Sequence, residues 1–338
     1  MSGMREQDVA AIGSARAMLA KMARPLVLSV AAGVAIYLAS IFLGDRDQIV
    51  AAIARIGPAG WAAILGLSVA NYVLRFLRWH WYIADLGTRV PMARHLCIYL
   101  AAFAFATTPG KAGEAVRSIY LLRYGVKVSN SLAAFLIERY MDLIAILILA
   151  CLAAIHFEDS RWVVVLAAAA SAVLYAVYRG SWVLRLLDSL ARSMRREFLK
   201  KLARGIHDFQ RDAGFLLRGR IFPGALAIGL VAWAAEGLGF YLTVSYLGME
   251  APVALMVGIY SIGILAGALS FIPGGIGSTE AVMGVLLVLV GADTATAVAA
   301  TIMCRLATLW FAVLLGMSCL AGLELSGSAG LRHAQKTP

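Results

Sequence analysis

Long apolar stretches are the feature of this sequence that most restricts its fold. A helix that crosses a bilayer needs about 20 mostly apolar residues, with a range of about 17–25. Six stretches meet this requirement: 25–43, 59–84, 131–155, 162–178, 223–246 and 296–320. Hydrophobic residues make up 62% of the chain and charged residues 14%, whereas a soluble domain carries about 25% charged residues. This excludes a soluble enzyme and a disordered chain, and predicts an all-α integral membrane protein with about six full spans.

Two further apolar stretches, 96–108 and 254–272, are interrupted by Pro and Gly. The first runs into PGKAGE (109–114) and the second into PGGIGSTE (273–280), and each is followed by another short helical stretch, 114–123 and 280–290. Pro removes a backbone donor from a helix, and Gly permits a tight turn. Irregular backbone at membrane depth is tolerated where it is buried in protein or lines a cavity. We therefore predict two re-entrant or broken helix pairs in addition to the full spans.

The distribution of basic residues predicts the orientation in the membrane. Segment 179–221 contains eleven Lys or Arg residues and four acidic ones, and the first 24 residues contain four basic residues. An excess of Lys and Arg marks cytoplasmic loops. Apolar residues in 179–221 recur at helical spacing, which is typical of a basic amphipathic helix lying on the membrane surface. We expect a multi-pass membrane protein with both termini in the cytoplasm.

The chain resembles itself at an offset of about 164 residues. Pro109-Gly110 aligns with Pro273-Gly274, and, after two inserted residues, Glu114 aligns with Glu280 and Arg139 with Arg305. The predicted topology gives the two copies, 58–155 and 223–320, opposite orientations. Inverted repeats are common in secondary transporters, which bind substrate near the bilayer midplane. We predict one membrane domain over 1–338, with 25–43 as an extra span and 162–178 as a linking span.

Ionisable residues inside the predicted spans are the first candidate site residues, because they are costly in hydrocarbon and usually face the protein interior or water. They are Arg139, Arg305, Glu138, Asp142 and Glu236. Arg139 and Asp142 are three residues apart and share a helix face, whereas we expect Glu138 to point elsewhere. The alternative is that these residues form buried ion pairs that only hold helices together.

The two Pro-Gly segments supply the second group of candidates. Glycines let backbone amides face a ligand, and a following helix presents the positive end of its dipole, which favours a phosphate. The candidates are Gly110, Lys111, Gly113, Glu114, Arg117, Gly274, Gly275, Gly277 and Glu280. For Glu114 and Glu280 the alternative is that an acid in the first turn simply stabilises its helix.

Arg75 and Arg78 occur beside Trp79, Trp81 and Tyr82 at the end of their predicted span. We interpret these arginines as snorkelling side chains within an aromatic belt. The chain has no Walker A spacing, no HExxH or GxSxG motif and no CxxC pair, so we expect no metal, no cofactor and no catalytic residue.

Four segments, LRFLRWHWY, TPGKAGEAVRS, ERYMDL and FIPGGIGSTE, occur in an order that resembles one known family. The chain is similar over about residues 50–320 to the flippase-like transmembrane domain of lysylphosphatidylglycerol synthases, a family that also has stand-alone members. The resemblance implies movement of a polar-headed lipid between the leaflets of the bacterial inner membrane. It places the family motifs on the candidates of both groups except Glu236. Residues 321–338 are too few for a soluble synthase domain, so we expect no synthase activity.

These observations predict a lipid translocase that binds polar-headed, anionic membrane lipids and no nucleic acid. We expect Arg139 and Arg305 to bind a headgroup phosphate from opposite leaflets, in two half-cavities shaped by the broken helices. One alternative is a membrane-embedded enzyme acting on a lipid-linked phosphate or sugar, with Glu138, Asp142 and Glu280 as acid and base groups. Another is a secondary transporter of a small solute or ion.

Overall fold

The chain is all-helical in the part that the structure describes. The computed structural model describes residues 46–108, 113–154 and 219–334, together with the single residues 31, 35, 156 and 169. Nine α-helices occur in these ranges, and we number them in chain order: α1 (Arg46–Asp85), α2 (Met92–Ala101), α3 (Gly113–Leu122), α4 (Val128–Ala154), α5 (Ile221–Tyr246), α6 (Val253–Leu269), α7 (Ser278–Leu289), α8 (Thr294–Arg305) and α9 (Phe311–Ala334). A 3-10 turn, Ala102–Phe105, extends α2, and a π-helical turn, Leu306–Trp310, joins α8 to α9.

Three described helices are long and apolar enough to cross a membrane: 54–85, 221–246 and 294–325. They correspond to three of the predicted spans, and α1 is kinked at Gly57 (φ 63°) just before the predicted start of its span. Helix α4 has 27 residues, about 40 Å at 1.5 Å per residue, so it is also long enough. The predicted spans 25–43 and 162–178 and the basic segment 179–221 lie almost entirely outside the described residues.

The chain is broken at the second Pro-Gly segment, as predicted. Helix α6 ends at Leu269, a 3-10 turn covers Pro273–Gly275, and α7 begins at Ser278. Gly267 makes the close return of the chain possible, since a Cβ there would lie 2.0 Å from Thr279 Oγ1. At the first segment, α2 and its 3-10 extension end at Phe105 and α3 begins at Gly113, with 109–112 outside the described residues.

In the described residues the buried core consists of two apolar clusters that follow each other along α1. Phe76 and Trp79 belong to the first cluster, which also draws on α2, α3 and the first half of α4. Ile56 and Ile64 belong to the second, which includes the end of α4 and much of α5, α6 and α8. The stretch of α1 between the two clusters carries Arg75, so a charged side chain lies at the boundary between the two apolar clusters.

Candidate functional site

Buried arginines and carboxylates from three helices meet at one site in the part of the chain that the structure describes. We call the set of Arg75 and Arg78 on α1, Arg117 on α3, and Glu138, Arg139 and Asp142 on α4 the arginine cluster. All but Arg139 are buried; the Arg139 side chain is 31% exposed. Helix α4 supplies both carboxylates because positions 138 and 142 are four residues apart, the spacing that places side chains on one helix face.

Asp142 holds three of the four arginines. Arg78 Nη2 donates a hydrogen bond to Asp142 Oδ1 at 2.5 Å, and Trp233 Nε1 donates to the same oxygen at 3.1 Å. Asp142 Oδ2 lies 2.9 Å from Arg139 Nη2 and 3.2 Å from Arg75 Nη2. The pairing of Arg139 with Asp142 agrees with the predicted shared face. Asp142 therefore fixes the positions of arginines from both α1 and α4.

Glu138 belongs to the same cluster, so the expectation that it points elsewhere is wrong. Arg117 Nη1 donates to Glu138 Oε2 at 2.9 Å, and Tyr99 Oη donates to Oε1 at 2.7 Å. Arg139 Nη2 lies 3.3 Å from Oε1. Glu138 does not share a helix face with Arg139, its immediate neighbour. It shares a face with Asp142, four residues later.

Aromatic rings complete the surroundings of the arginines. The Arg117 guanidinium lies 4.0 Å from the ring centre of Tyr99 and 4.9 Å from that of Trp79, and Arg75 lies 5.0 Å from that of Trp233. Guanidinium groups stack favourably on aromatic faces, more so when water is excluded. The rings thus stabilise the cations without neutralising them.

The arginine cluster carries more positive than negative charge. Its described members are four guanidinium groups and two carboxylates, a net charge of +2. Charges in a low-dielectric interior are costly unless they are balanced. Such a site attracts an anion.

A cavity of about 250 Å³ lies beside the arginine cluster. At about 30 Å³ per water molecule, it has room for roughly eight waters, or for a compact polar headgroup. Its walls are mostly apolar, and its charged lining residues are Arg75, Arg117, Arg139, Glu236 and Arg305. We predicted separate half-cavities for Arg139 and Arg305, but the two side chains line this same cavity. Glu138 and Asp142 stand behind the lining and hold the arginines in place.

Arg305 connects the cavity to the second Pro-Gly break. Its Nε donates to Glu280 Oε1 at 3.0 Å, and its Nη2 donates to the carbonyl oxygen of Gly274. It is the last residue of α8 before the π-helical turn, from which Thr308 and Leu309 also line the cavity. π-helical turns are frequent at functional sites. Arg305 therefore ties the broken segment to the cavity wall.

Glu280 caps its own helix, which is the alternative raised for it from the sequence. The Gly277 backbone N–H donates to Glu280 Oε2 at 2.7 Å, so that amide is occupied. Gly275 packs against Gly267, where a Cβ on Gly275 would lie 3.0 Å from Gly267 Cα. None of Gly274, Gly275, Gly277 and Glu280 is among the residues that line the cavity.

Among the candidates at the first Pro-Gly segment and in the helix after it, Arg117 has a described side chain, and it lines the cavity. Gly113 is the first residue of α3. Gly110 and Lys111, like the Glu114 side chain, lie outside what the structure describes, so their roles stay predictions.

The arginines of α1 are the residues that sequence reasoning missed. Arg75 is 7% and Arg78 0% exposed, so the interpretation of both as snorkelling side chains is wrong. The spacing of Arg75 and Arg78 indicates a shared position, because residues three apart lie on the same helix face. Helix α4 presents two carboxylates to that face. Their neighbours among the aromatic residues, Trp79 and Tyr82, are buried as well.

The chain is similar to known membrane proteins over most of its length. The profile of the family described as the lysylphosphatidylglycerol synthase TM region matches residues 29–316. A UPF0104 membrane protein of Methanothermobacter thermautotrophicus is 27% identical over 326 residues, covering 87% of this chain and 92% of the relative. A second one from that organism is 23% identical over 259 residues, covering 70% and 76%. A UPF0104 membrane protein of Pyrococcus horikoshii is 25% identical over 281 residues, covering 74% and 84%.

Proposed function

Because the chain belongs to the family of the lysylphosphatidylglycerol synthase TM region, we propose that it moves a lipid with an anionic polar headgroup between the leaflets of its membrane. The observation that carries the proposal is the position of Arg139. This guanidinium is held by two carboxylates and is still about one-third exposed, at an apolar-walled cavity that three other arginines also line.

The chemistry of the arginines fits a phosphate group. A guanidinium presents a planar fork of donors that matches phosphate oxygens, and such charge-assisted hydrogen bonds are among the strongest in proteins. A headgroup crossing hydrocarbon loses its water, and the cluster replaces that water with fixed donors. The cavity is too small for the acyl chains as well, so these would remain in the bilayer while the headgroup passes.

In this proposal the two broken helix pairs are re-entrant and the two copies have opposite orientations. Each copy contributes one lining arginine at the equivalent position, Arg139 or Arg305. The headgroup would reach the shared cavity from either leaflet as the copies rock against each other, the motion expected of inverted repeats.

The proposed location is the cytoplasmic membrane with both termini in the cytoplasm. The family and the apolar helices support a multi-pass membrane protein. The relatives described above are archaeal, and the proposed sidedness follows from the distribution of basic residues.

The pairing of the acidic residues disfavours an enzyme. Glu138 and Asp142 are each engaged by several arginines, and Glu280 by Arg305 and a backbone amide. A general acid or base must be able to exchange a proton with substrate, and carboxylates held this way are poorly placed to do so. We therefore propose transport without covalent chemistry.

The test is lipid translocation by the purified chain in vesicles that contain fluorescent phosphatidylglycerol, with fluorescent phosphatidylcholine in parallel. We expect faster exchange of phosphatidylglycerol between leaflets than in protein-free vesicles. Arg139→Ala should slow it at least about tenfold, since a hydrogen bond to a charged group is worth about 1.5–3 kcal/mol and 1.4 kcal/mol is a factor of ten.

The matched control is Arg89→Ala, which removes an exposed arginine from the loop after α1 and should leave the rate unchanged. Arg305→Ala should also slow exchange, but it additionally releases the second break, so its folding needs separate verification. Wild-type vesicles no faster than empty ones, or a folded Arg139→Ala variant at the wild-type rate, would refute the proposal.

A further inference from the structure

Glu236 is the one described carboxylate that lines the cavity, and the arginine cluster does not include it. It lies on α5 and is 5% exposed. Its Oε2 accepts a hydrogen bond from the hydroxyl of Tyr260 on α6. Within the described ranges, Glu236 forms no ion pair, because Arg75 and Arg139 pair with Asp142 and Arg305 pairs with Glu280.

The groups around Glu236 come from every helix packed against α5. Two arginines and one aspartate interact with it electrostatically, and its other titratable neighbours are two tyrosines and a cysteine. They are Arg75 and Tyr72 from α1, Asp142 from α4, Tyr260 from α6, and Arg305 and Cys304 from α8.

In this environment opposing effects act on the ionised carboxylate and on the neutral carboxyl group of Glu236. An ionised carboxylate buried without an ion-pair partner is costly, and the usual relief is uptake of a proton. The positive charge of Arg75 and Arg305 offsets part of that cost while the cavity holds no anion. An anionic headgroup would neutralise this positive field and place a like charge in the cavity that Glu236 lines.

We infer that Glu236 is a proton-binding site whose occupancy is coupled to the binding of the anionic headgroup in the cavity. The inference deepens the proposed function and rests on it. When the anion binds, the Glu236 carboxylate accepts one proton from water and becomes a neutral carboxyl group; when the anion leaves, the proton returns to water. The headgroup and a proton then occupy the site together, so a proton gradient can drive the movement of the lipid.

Thermodynamic reciprocity gives the sign of the effect. If anion binding favours protonation of Glu236, protonation must favour anion binding by the same factor. Affinity for the anion should therefore fall as pH rises through the titration of Glu236. Coupling between sites is typically about 5–150-fold, so we expect at least about a fivefold loss of affinity.

The experiment measures binding rather than transport. The full chain in detergent micelles is titrated with short-chain phosphatidylglycerol, and the heat of binding is measured by calorimetry. The measurement is repeated in buffers of different ionisation enthalpy, which reveals proton uptake. The pH is varied across about 5 to 9, a range that covers the titration of documented buried Glu residues. We expect uptake of up to about one proton per bound probe in the range where the affinity falls.

Three variants make the assignment specific to Glu236. Glu236→Gln should remove both the proton uptake and the pH dependence. Glu250→Gln, at an exposed position after α5, is the matched control and should keep both. Tyr260→Phe retains the carboxyl group but removes its hydrogen-bond donor, so uptake should remain with its pH midpoint displaced. This variant also serves if Glu236→Gln does not fold.

The outcomes separate this inference from the proposed function. Probe binding without proton uptake, or the same uptake in Glu236→Gln, overturns the inference even if lipid exchange in vesicles is confirmed. Proton-linked binding without lipid exchange refutes the proposed function and leaves the coupled site standing. Absence of probe binding at every pH overturns both.

Discussion

Replacement of Asp142 by Asn tests whether the arginine cluster is held together by its acidic residues. In the wild type, Asp142 contacts three guanidinium groups at 2.5, 2.9 and 3.2 Å. The variant leaves Glu138 as the only described carboxylate for four arginines, which raises the net charge of the cluster from +2 to +3. Removal of one partner from a buried ion pair costs about 3–5 kcal/mol. We expect the free energy of unfolding to fall by this amount, a large part of a typical total of about 5–15 kcal/mol.

A second substitution distinguishes lost charge balance from general damage. Arg78 is completely buried, does not line the cavity, and has Asp142 as its nearest acidic partner. Arg78→Met replaces the guanidinium with an uncharged side chain of similar length. The double variant therefore returns the net charge of the cluster to +2. The cost of Asp142→Asn should be smaller in the Arg78→Met background, by a coupling energy of about 0.5–3 kcal/mol for residues in contact.

Unfolding by increasing SDS in mixed micelles, followed by tryptophan fluorescence, measures these differences. Trp233, one of seven tryptophans, donates a hydrogen bond to Asp142, so the emission follows the cluster together with the rest of the chain. Asp85→Asn, at the exposed end of α1, is the matched control and should change stability by less than about 0.5 kcal/mol. Strictly additive effects in the double variant, or an Asp142→Asn variant as stable as the control, would refute the reasoning.

Two further predictions concern packing and helix capping. Gly258→Ala should destabilise the protein by about 1–3 kcal/mol, because a Cβ there would lie 2.3 Å from the backbone N of Ala153; Gly284→Ala, where nothing lies within 4 Å, should be neutral or stabilising in the same SDS assay. Hydrogen bonds from the Thr296 side chain and from the backbone N–H of Thr296 lower the pKa of Asp293. An N-cap contributes about 0.5–2 kcal/mol, and the part of it that depends on the carboxylate charge should be present above the unfolded-state pKa of about 3.9 and be lost as pH falls through the lower folded-state pKa. Asp293→Ala should therefore be less stable than wild type at neutral pH, and the difference should become smaller in acid; a difference independent of pH would contradict a contribution from the carboxylate charge.

The sequence predicted the helices well because their signals are local. Apolar length identified α1, α5 and the α8–α9 rod, and Pro with Gly identified the break at 273–275. Local backbone chemistry also accounts for the kink in α1: Gly57 adopts a positive φ, and Pro58 follows it at the start of the longer helical segment.

The site was harder to predict because it depends on which helix faces meet. Arg139 and Arg305 were expected to be functional, and both line the cavity. Arg75 and Arg78 were assigned to the membrane surface, since a cation near the end of a span usually reaches water. Only the packing of α1 against α4 and α5 brings these arginines to Asp142, and nothing in their local sequence states which neighbour they meet.

The π-helical turn between α8 and α9 has a geometric consequence for the whole C-terminal rod. In an unbroken α-helix, residues eleven positions apart, such as Arg305 and Gly316, lie on the same side, because three turns take about 10.8 residues. The wider turn absorbs one extra residue and rotates all that follows by roughly 100°. Arg305 is thereby aimed at the second broken pair, and Gly316 lies against the backbone of Ala104, beside the first. Because of one added residue, the continuous helical segment formed by α8 and α9 contacts α7 with Arg305 and the 3-10 turn after α2 with Gly316.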